Sequence, residues 1–207
     1  MNISGFVLAG GQSRRMGRDK ALLPYGGSTL LEHALETLRT VCDTVAIAGS
    51  REDLAVYAPV IDDIYTGCGP LAGMHAALAQ TKSEWNFLMG VDMPLIKPED
   101  LLRLVDAAER ASDPAAGERV HPVLRAKVVA VLAESEGRLQ PLCGLYRGSL
   151  ADAFARALGA GERAVIPAVE AICGPNGMVR VPFDATVLAN LNTPEDLATL
   201  AAAKPST

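Results

Sequence analysis

The sequence predicts a three-layer α/β domain with a mostly parallel sheet and an antiparallel strand pair in its C-terminal half. Short apolar runs, typical of strands buried on both faces, alternate with helical patterns through residues 1–111. Such alternation indicates parallel strands joined by right-handed crossover helices. After residue 111, two apolar runs are joined by a short turn, which indicates a hairpin.

The elements of the first half follow from apolar periodicity and from helix-start signals. Thr29 and Glu32 form a capping box ahead of a leucine stripe, and Pro70 and Pro98 suit the first position of a helix. We predict helices at residues 29–41, 51–58, 69–81 and 97–111. Strands are predicted at residues 4–9, 44–50, 59–63 and 85–92.

The second half has fewer crossovers. Residues 126–147 predict two strands around the turn Ser135–Gly137. Helices are predicted around residues 149–158, 162–172 and 193–203, and a strand at 178–183. Because no repeat, linker or low-complexity segment interrupts the chain, we expect one domain over residues 1–207.

Composition excludes several classes of protein. Of the 207 residues 49% are hydrophobic, which is ample for a buried core, and a net charge of −5 argues against a nucleic-acid partner. The four cysteines form no C-x-x-C pair and the three histidines are scattered, so no zinc site is expected. There is no signal-peptide pattern and no apolar window of about 18 residues. We expect a cytoplasmic protein without a membrane partner.

The stretch "LAGGQSRRMGRDK" at residues 8–20 is a glycine-rich basic loop. It fits neither the P-loop nor the G-x-G-x-x-G fingerprint. Because the chain as a whole is acidic, this local positive charge favours a small anionic ligand such as a polyphosphate; the alternative is a surface turn with solvated arginines. Spacing alone cannot choose the phosphate contact among Arg14, Arg15, Arg18 and Lys20.

Several polar residues and glycines follow predicted strands, at the edge where open α/β sheets bind ligands. They are Gly10–Gly11, Gly49, Asp62–Asp63 and Asp92. Asp92, next to Met93-Pro94, is well placed to hold Mg²⁺ beside phosphates. The alternative is an aspartate that caps the following turn.

Three further features have both a functional and a structural interpretation. "GCGPLAG" at residues 67–73 is either an anion-binding helix start or a tight turn. His75 is expected to be a packed histidine. Asn190 and Asn192 share one face of an extended segment and could both meet a ligand, whereas Thr193 is expected to cap the final helix.

Taken together, "LAGGQSRRMGRDKALL", "GPLAG", "VDMP" and "NLNTPEDL" closely resemble the molybdenum cofactor guanylyltransferases, from residue 7 to about residue 200. The resemblance implies the Rossmann-like fold of nucleotide-diphospho-sugar transferases. It also implies transfer of GMP from GTP to the terminal phosphate of molybdopterin, with release of pyrophosphate. The substrates would be GTP and molybdopterin or its molybdenum form, and adaptor or molybdoenzyme partners are compatible with it. Residues 1–111 would be the GTP-binding half and residues 112–207 the cofactor-side half.

The resemblance also assigns site residues. GTP-binding positions fall on Leu8, Ala9, Gly10, Gly11, Lys20, Asp63 and Asp92. Asp92 corresponds to the Mg²⁺ ligand, and the expected catalytic residues are Lys20, Asp92 and Arg15. Cofactor-side positions fall on Gln140, Pro141, Asn190 and Asn192.

Two positions depart from the family pattern. Some relatives carry Asn at the position of Ala48, and relatives often carry His-Pro at the position of Gln140-Pro141. Two alternatives remain. One is a cytidylyltransferase of the same fold, acting on molybdopterin or a sugar phosphate, although Ala9-Gly10-Gly11 argues against it. The other is a module that binds nucleotide or cofactor without catalysis.

Overall fold

The computed structural model describes residues 1–10, 19–112, 128–191 and 196. Its strands are β1 (Ile3–Leu8), β2 (Pro24–Tyr25), β3 (Ser28–Thr29), β4 (Thr44–Ala48), β5 (Val60–Ile61), β6 (Trp85–Gly90), β7 (Ala130–Ser135), β8 (Arg138–Arg147) and β9 (Met178–Pro182). Its α-helices are α1 (Leu30–Arg39), α2 (Pro70–Gln80), α3 (Pro98–Ser112), α4 (Ala151–Gly159) and α5 (Val165–Cys173).

Seven strands form one sheet in the order β5-β4-β1-β6-β8-β7-β9. β8 is antiparallel to β6 and to β7, and every other pairing is parallel. Met89 in β6 lies opposite Cys143 in β8, so β8 begins at the edge where β6 ends. This confirms the predicted α/β class with an antiparallel pair in the C-terminal half.

Helices cover both faces of the sheet. Residues of α1 and α3 pack in one apolar cluster with Val7 and Phe87, and residues of α2, α4 and α5 pack in a second cluster with Phe6 and Leu88. Because adjacent residues of a strand point to opposite faces, Phe6 and Val7 serve different clusters. β1 and β6 are buried along their whole length, as the unbroken apolar runs predict.

Most predicted elements lie where the sequence placed them, with differences at the edge of the sheet. The helix predicted at residues 51–58 is wrong, since only a 3₁₀ turn at Glu52–Leu54 forms. Pro59 disfavours helical backbone at the residue before it, and β5 must begin directly afterwards to pair with β4. The β2–β3 hairpin was not predicted, and the predicted helix at 193–203 lies outside the described residues apart from residue 196.

All four cysteines are free thiols, and burial raises the pKa of Cys143 to about 12. None of the helices in the described part of the chain is long and apolar enough to cross a bilayer.

Candidate active site

A cavity of about 320 Å³ opens at the carboxyl edge of the parallel strands. It is lined by the ends of β1, β4 and β6, by the start of α2, by residues 19–21 and by Leu142 of β8. Its place agrees with the rule that open α/β sheets bind ligands beyond the ends of their strands. We call it the donor pocket.

Gly10, which lines the donor pocket, is packed against a second glycine, Gly49. A Cβ added to Gly49 would lie 2.8 Å from both Cα and N of Gly10, and Gly49 has a φ of +131°. Only glycine combines that backbone conformation with that approach. The strand ends are joined further by the Ala9 N–H, which donates to the Ala48 carbonyl at 3.2 Å, and by the Gly49 N–H, which donates to Ile61 at 3.0 Å.

An ion pair stands at the mouth of the donor pocket. Lys20 Nζ lies 2.9 Å from Asp92 Oδ2, and the two side chains are 15% and 23% exposed. Lys20 begins a 3₁₀ turn that is capped by the Asp19 side chain, which accepts from the Ala21 N–H at 3.0 Å. The pair therefore places one ammonium group and one carboxylate together in the lining of the cavity.

The surroundings of Asp92 fix its position from three directions. A Cβ on Gly90 would lie 2.7 Å from Asp92 Oδ1, so the carboxylate occupies space that a glycine leaves open. The Asp92 carbonyl accepts from the Leu191 N–H at 2.8 Å. Two residues later, the Pro94 carbonyl contacts the hydroxyl of Tyr25 at 3.3 Å and the His33 ring at 3.0 Å.

Asp63 presents a second carboxylate to the donor pocket. Its Oδ1 is buried and has no hydrogen-bond partner among the described residues, while its backbone N–H donates to Ser50 Oγ at 3.1 Å. Burial, with a smaller contribution from the charge of Asp62, raises the pKa of Asp63. A buried carboxylate oxygen of this kind is suited to accept from an N–H or O–H of a ligand.

The start of α2 completes the pocket. Gly67 and Gly69 have φ angles of +71° and +68°, Pro70 occupies the first helical turn, and Gly69, Pro70 and Gly73 line the cavity. The segment is thus both a tight turn and a helix N-terminus that faces the pocket. His75 is 6% exposed and packs edge-on against Tyr65, as expected for a packed histidine.

A second cavity, of about 620 Å³, lies farther along the same edge, between the β7–β8 turn, α5 and residues 185–190. We call it the distal pocket. Gln140 and Asn190 line it, together with Ser135, whose Oγ is buried without a partner among the described residues. Pro141 is buried and its carbonyl accepts from the Tyr146 hydroxyl at 2.7 Å.

Residues 5–172 match the family described as the MobA-like NTP transferase domain. The chain belongs to this family. It is 36% identical to the probable molybdenum cofactor guanylyltransferase of Mycobacterium avium (strain 104), over 99% of this chain and 98% of the relative. The resemblance stated from the sequence motifs is therefore confirmed.

Solved structures show the same fold. Molybdopterin-guanine dinucleotide biosynthesis protein A from Archaeoglobus fulgidus is 27% identical, with a TM-score of 0.72 over 95% of each chain. The 2-C-methyl-D-erythritol 4-phosphate cytidylyltransferase of Thermus thermophilus is 19% identical, with a TM-score of 0.65 over 95% of this chain and 96% of that one. The second likeness shows the fold alone.

The structure places the predicted site residues of this MobA-like domain in two groups. Around the donor pocket lie Leu8, Ala9, Gly10, Lys20, Asp63 and Asp92. Gln140 and Asn190 line the distal pocket, whereas Pro141 lies inside β8. Gly11, Arg14, Arg15, Arg18 and Asn192 lie outside the described residues, so their roles stay predictions.

Sequence reasoning missed Leu142 in the lining of the donor pocket, and it missed Arg51, which binds Asp19. Nothing in the local pattern around Leu142 marks it, because its place at the pocket depends on the pairing of β8 with β6. Arg51 directly follows the strand predicted at residues 44–50, so the strand-end rule that selected Gly49 would have reached it.

In the described ranges, no group of three or more His, Cys, Asp and Glu side chains could hold a metal by itself. Asp92 supplies one hard oxygen donor to the donor pocket. That fits Mg²⁺, which commonly binds proteins through one or two carboxylates and completes its shell with substrate phosphates and water.

Proposed function

We propose that this chain transfers GMP from GTP to the terminal phosphate of molybdopterin, in its free or molybdenum-bearing form, with release of pyrophosphate. The observation that carries the proposal is the Lys20–Asp92 pair beside a glycine-walled pocket at the carboxyl edge of the sheet. The name of the Mycobacterium avium relative, which matches along nearly the whole chain, supports the same reaction.

The donor pocket would bind GTP mainly through backbone. The small residues Ala9 and Gly10 let the main chain approach the nucleotide closely. Asp63 would accept a hydrogen bond from an N–H or O–H of the nucleoside, which its unpartnered oxygen favours. The N-terminus of α2 adds backbone N–H groups and a positive dipole end.

The reaction needs no general base. A phosphate monoester has a second pKa of about 6, so the attacking oxygens are already largely ionised at neutral pH. The obstacle is the repulsion between two anions, and the chain would lower it by neutralising charge and aligning the reactants. Lys20 would bind the departing pyrophosphate, and we assign the same role to Arg15 because of its charge and its place in the glycine-rich basic loop.

Asp92 would hold Mg²⁺ with the phosphates of the nucleotide. When bound, the ion supplies Lewis-acid stabilisation of charge on phosphoryl oxygens. Lys20 offsets the charge of Asp92 at 2.9 Å and is thus positioned to exchange a carboxylate partner for a phosphate.

The distal pocket would bind the pterin acceptor. Gln140 and Asn190 line it, and Leu191 links this region to the Asp92 backbone at 2.8 Å. We assign Asn192 and Pro141 to the acceptor side from the resemblance, Pro141 as a residue that shapes β8. Residues 1–111 would bind the donor and residues 112–207 the acceptor within one domain.

The first test is calorimetry of GTP and CTP binding, with Mg²⁺ and then with EDTA. We expect GTP to bind more tightly than CTP and EDTA to weaken the binding. Tighter binding of CTP would move the protein to the cytidylyltransferases of the same fold. Binding of neither nucleotide would overturn the proposal.

The second test is pyrophosphate release by Asp92→Asn in the presence of GTP, acceptor and saturating Mg²⁺. We expect turnover to be nearly abolished and the fold retained, because the amide keeps the shape and loses the charge. Asp106→Asn, on the exposed face of α3, is the matched control and should be fully active. Near-normal turnover by Asp92→Asn would remove the proposed metal role.

A further inference from the structure

Arg51 is a half-buried cation that the reaction described above does not use. Its side chain is 11% exposed, and it follows β4 just beyond the Gly49–Gly10 contact. Arg51 Nε donates to Asp53 Oδ1 at 2.8 Å and Nη2 donates to Asp53 Oδ2 at 2.7 Å. A guanidinium largely shielded from water needs such partners, since an unpaired charge in this environment is costly.

The same guanidinium also reaches the segment that carries Lys20. Arg51 Nη2 donates to Asp19 Oδ2, and Asp19 Oδ1 accepts from the Ala21 N–H at 3.0 Å. The Asp19 carboxylate is therefore held on both oxygens, one by the side chain of Arg51 and one by the backbone beyond Lys20. These contacts fix the backbone on both sides of Lys20.

Arg51 is itself anchored to the backbone that follows β4. Its N–H donates to the Gly49 carbonyl at 2.7 Å, and its carbonyl accepts from the Leu54 N–H at 2.9 Å. The hydrogen bonds with Asp53, together with the charges of Asp19 and Asp53, raise the pKa of Arg51 and keep it charged. The side chain thus joins the segment after β4 to Asp19 in the pocket lining, 32 residues away in the sequence.

We propose that Arg51 is a positioning residue of the donor pocket: by holding Asp19, it sets the place from which Lys20 reaches Asp92 and the nucleotide phosphates. This inference rests on the proposed function, because it concerns the binding and turnover of the donor nucleotide. Arg51 is absent from the pocket lining, so it acts through Asp19 and Lys20.

The test compares Arg51→Ala with Arg39→Ala, which removes an exposed arginine from the end of α1 that donates to the Tyr57 carbonyl. For Arg51→Ala we expect kcat/KM for GTP to fall about 10-fold or more, as typical coupling between contacting residues allows. The KM for the acceptor should stay unchanged. Arg39→Ala should match the wild type in both constants.

A double-variant comparison separates positioning from a purely structural role. If Arg51 acts through Lys20, adding Arg51→Ala to Lys20→Ala should cause little further loss. The same should hold when Arg51→Ala is added to Asp19→Asn. Losses that multiply in both pairs would overturn the inference, as would a lower melting temperature of Arg51→Ala with wild-type kinetics at 25 °C.

GTP affinity, measured by calorimetry, tests the positioning role of Arg51 independently of the transfer reaction. If the wild type bound GTP but released no pyrophosphate with acceptor, the proposed transfer would fail. Weaker GTP binding by Arg51→Ala and not by Arg39→Ala would still support the positioning role. Equal GTP affinity in the wild type and Arg51→Ala, together with equal kcat/KM, would overturn it.

Discussion

The absence of one methyl group determines where the Asp92 carboxylate lies. A Cβ at position 90 would come within 2.7 Å of Asp92 Oδ1, 3.3 Å of Met93 Cε and 3.5 Å of Leu142 Cβ. The first of these distances is shorter than any ordinary contact, and the atom involved belongs to the carboxylate that pairs with Lys20. Gly90 is thus a structural requirement for the geometry of the ion pair.

We predict that Gly90→Ala lowers both activity and stability. The added methyl group should push the Asp92 carboxylate away from Lys20 and lower kcat/KM about 10-fold or more, while overpacking costs about 1–3 kcal/mol of unfolding free energy. Pyrophosphate release and denaturant unfolding measure the two effects. Gly159→Ala, where a Cβ meets nothing within 4 Å, should leave activity unchanged. Full activity in Gly90→Ala would show that Asp92 can function from another position.

At the residue scale, the sequence predicted Asp92 and Lys20 but not their mutual geometry. Both residues stand at strand or loop ends whose position follows from the α/β pattern. Their contact spans 72 residues of chain and depends on how β1 and β6 pair. Arg51 was missed for the same reason, because its partner Asp19 is 32 residues away.

The end of β4 supports the donor pocket through one backbone contact. Gly49 combines a φ of +131° with an approach of 2.8 Å, measured from an added Cβ, to Gly10 Cα. A side chain at position 49 would therefore cause both backbone strain and a steric clash with Gly10. A substitution at Gly161 would cause the backbone strain alone, since its φ is +91° and a Cβ there would meet nothing within 4 Å.

We predict that Gly49→Ala lowers the free energy of unfolding more than Gly161→Ala does. Of the two variants, only Gly49→Ala should weaken GTP binding. A positive φ in a non-glycine residue costs about 1–3 kcal/mol. Gly49→Ala adds a collision with the backbone of Gly10, so β1 and β4 must separate at the pocket. Urea unfolding and GTP calorimetry test both parts. Equal losses of stability in the two variants would show that the contact with Gly10 is easily relieved.

The capping box of α1 is an element that the sequence predicted correctly. Thr29 Oγ1 accepts from the Glu32 N–H at 3.2 Å, and Glu32 Oε2 accepts from the Thr29 N–H at 2.8 Å. We predict that Thr29→Ala lowers the free energy of unfolding by about 1 kcal/mol. Chemical denaturation at pH 7 measures this, and a loss below about 0.3 kcal/mol would mean that tertiary packing alone holds the helix end.

The same box makes part of the stability dependent on pH. Hydrogen bonds from the side chain and backbone of Thr29 lower the pKa of Glu32 below its ordinary value of 4.5. Because the pKa of Glu32 is lower in the folded than in the unfolded state, ionised Glu32 adds to the free energy of unfolding above pH 4.5. This contribution is lost as the pH falls through the folded-state pKa. Glu32→Gln should therefore be less stable than the wild type at pH 7, and the difference should narrow below pH 4.5. Glu36→Gln, on the exposed side of α1, is the matched control for the loss of one carboxylate from the same helix.

At the element scale, the sequence predicted the helices and strands that depend on local signals. It did not predict the elements that depend on pairing with distant strands. Capping, proline at helix starts and unbroken apolar runs are encoded within a few residues, and α1, α2, α3, β1 and β6 were predicted on that basis. β2 and β3 have only two residues each, too few for alternation to be visible. The helix predicted at residues 51–58 does not form, because Pro59 disfavours helical backbone at the residue before it and β5 begins directly afterwards to pair with β4.

At the scale of the whole molecule, the reversed direction of β8 brings two cavities to one edge of the sheet. β8 starts at the edge where β6 ends, and β7 and β9 end at that edge as well. The donor pocket lies at the ends of β1, β4 and β6, and the distal pocket lies beyond β7 and β8. A donor and an acceptor could therefore bind side by side, with Asp92 and Leu191 at the boundary.

This layout predicts that the two substrates can be weakened separately. Asn190 is exposed and, of the two pockets, lines only the distal one. Because one polar contact contributes about 0.5–1.5 kcal/mol, Asn190→Ala should raise the KM for the acceptor about 2- to 10-fold. GTP affinity should stay unchanged. Lys20→Ala should show the opposite pattern. Steady-state kinetics with each substrate varied in turn, together with GTP calorimetry, measures both. An equal effect of Asn190→Ala on GTP binding and on the acceptor KM would contradict independent binding of the two substrates. The hydrogen bond from Leu191 to Asp92 would then couple the two pockets into one site.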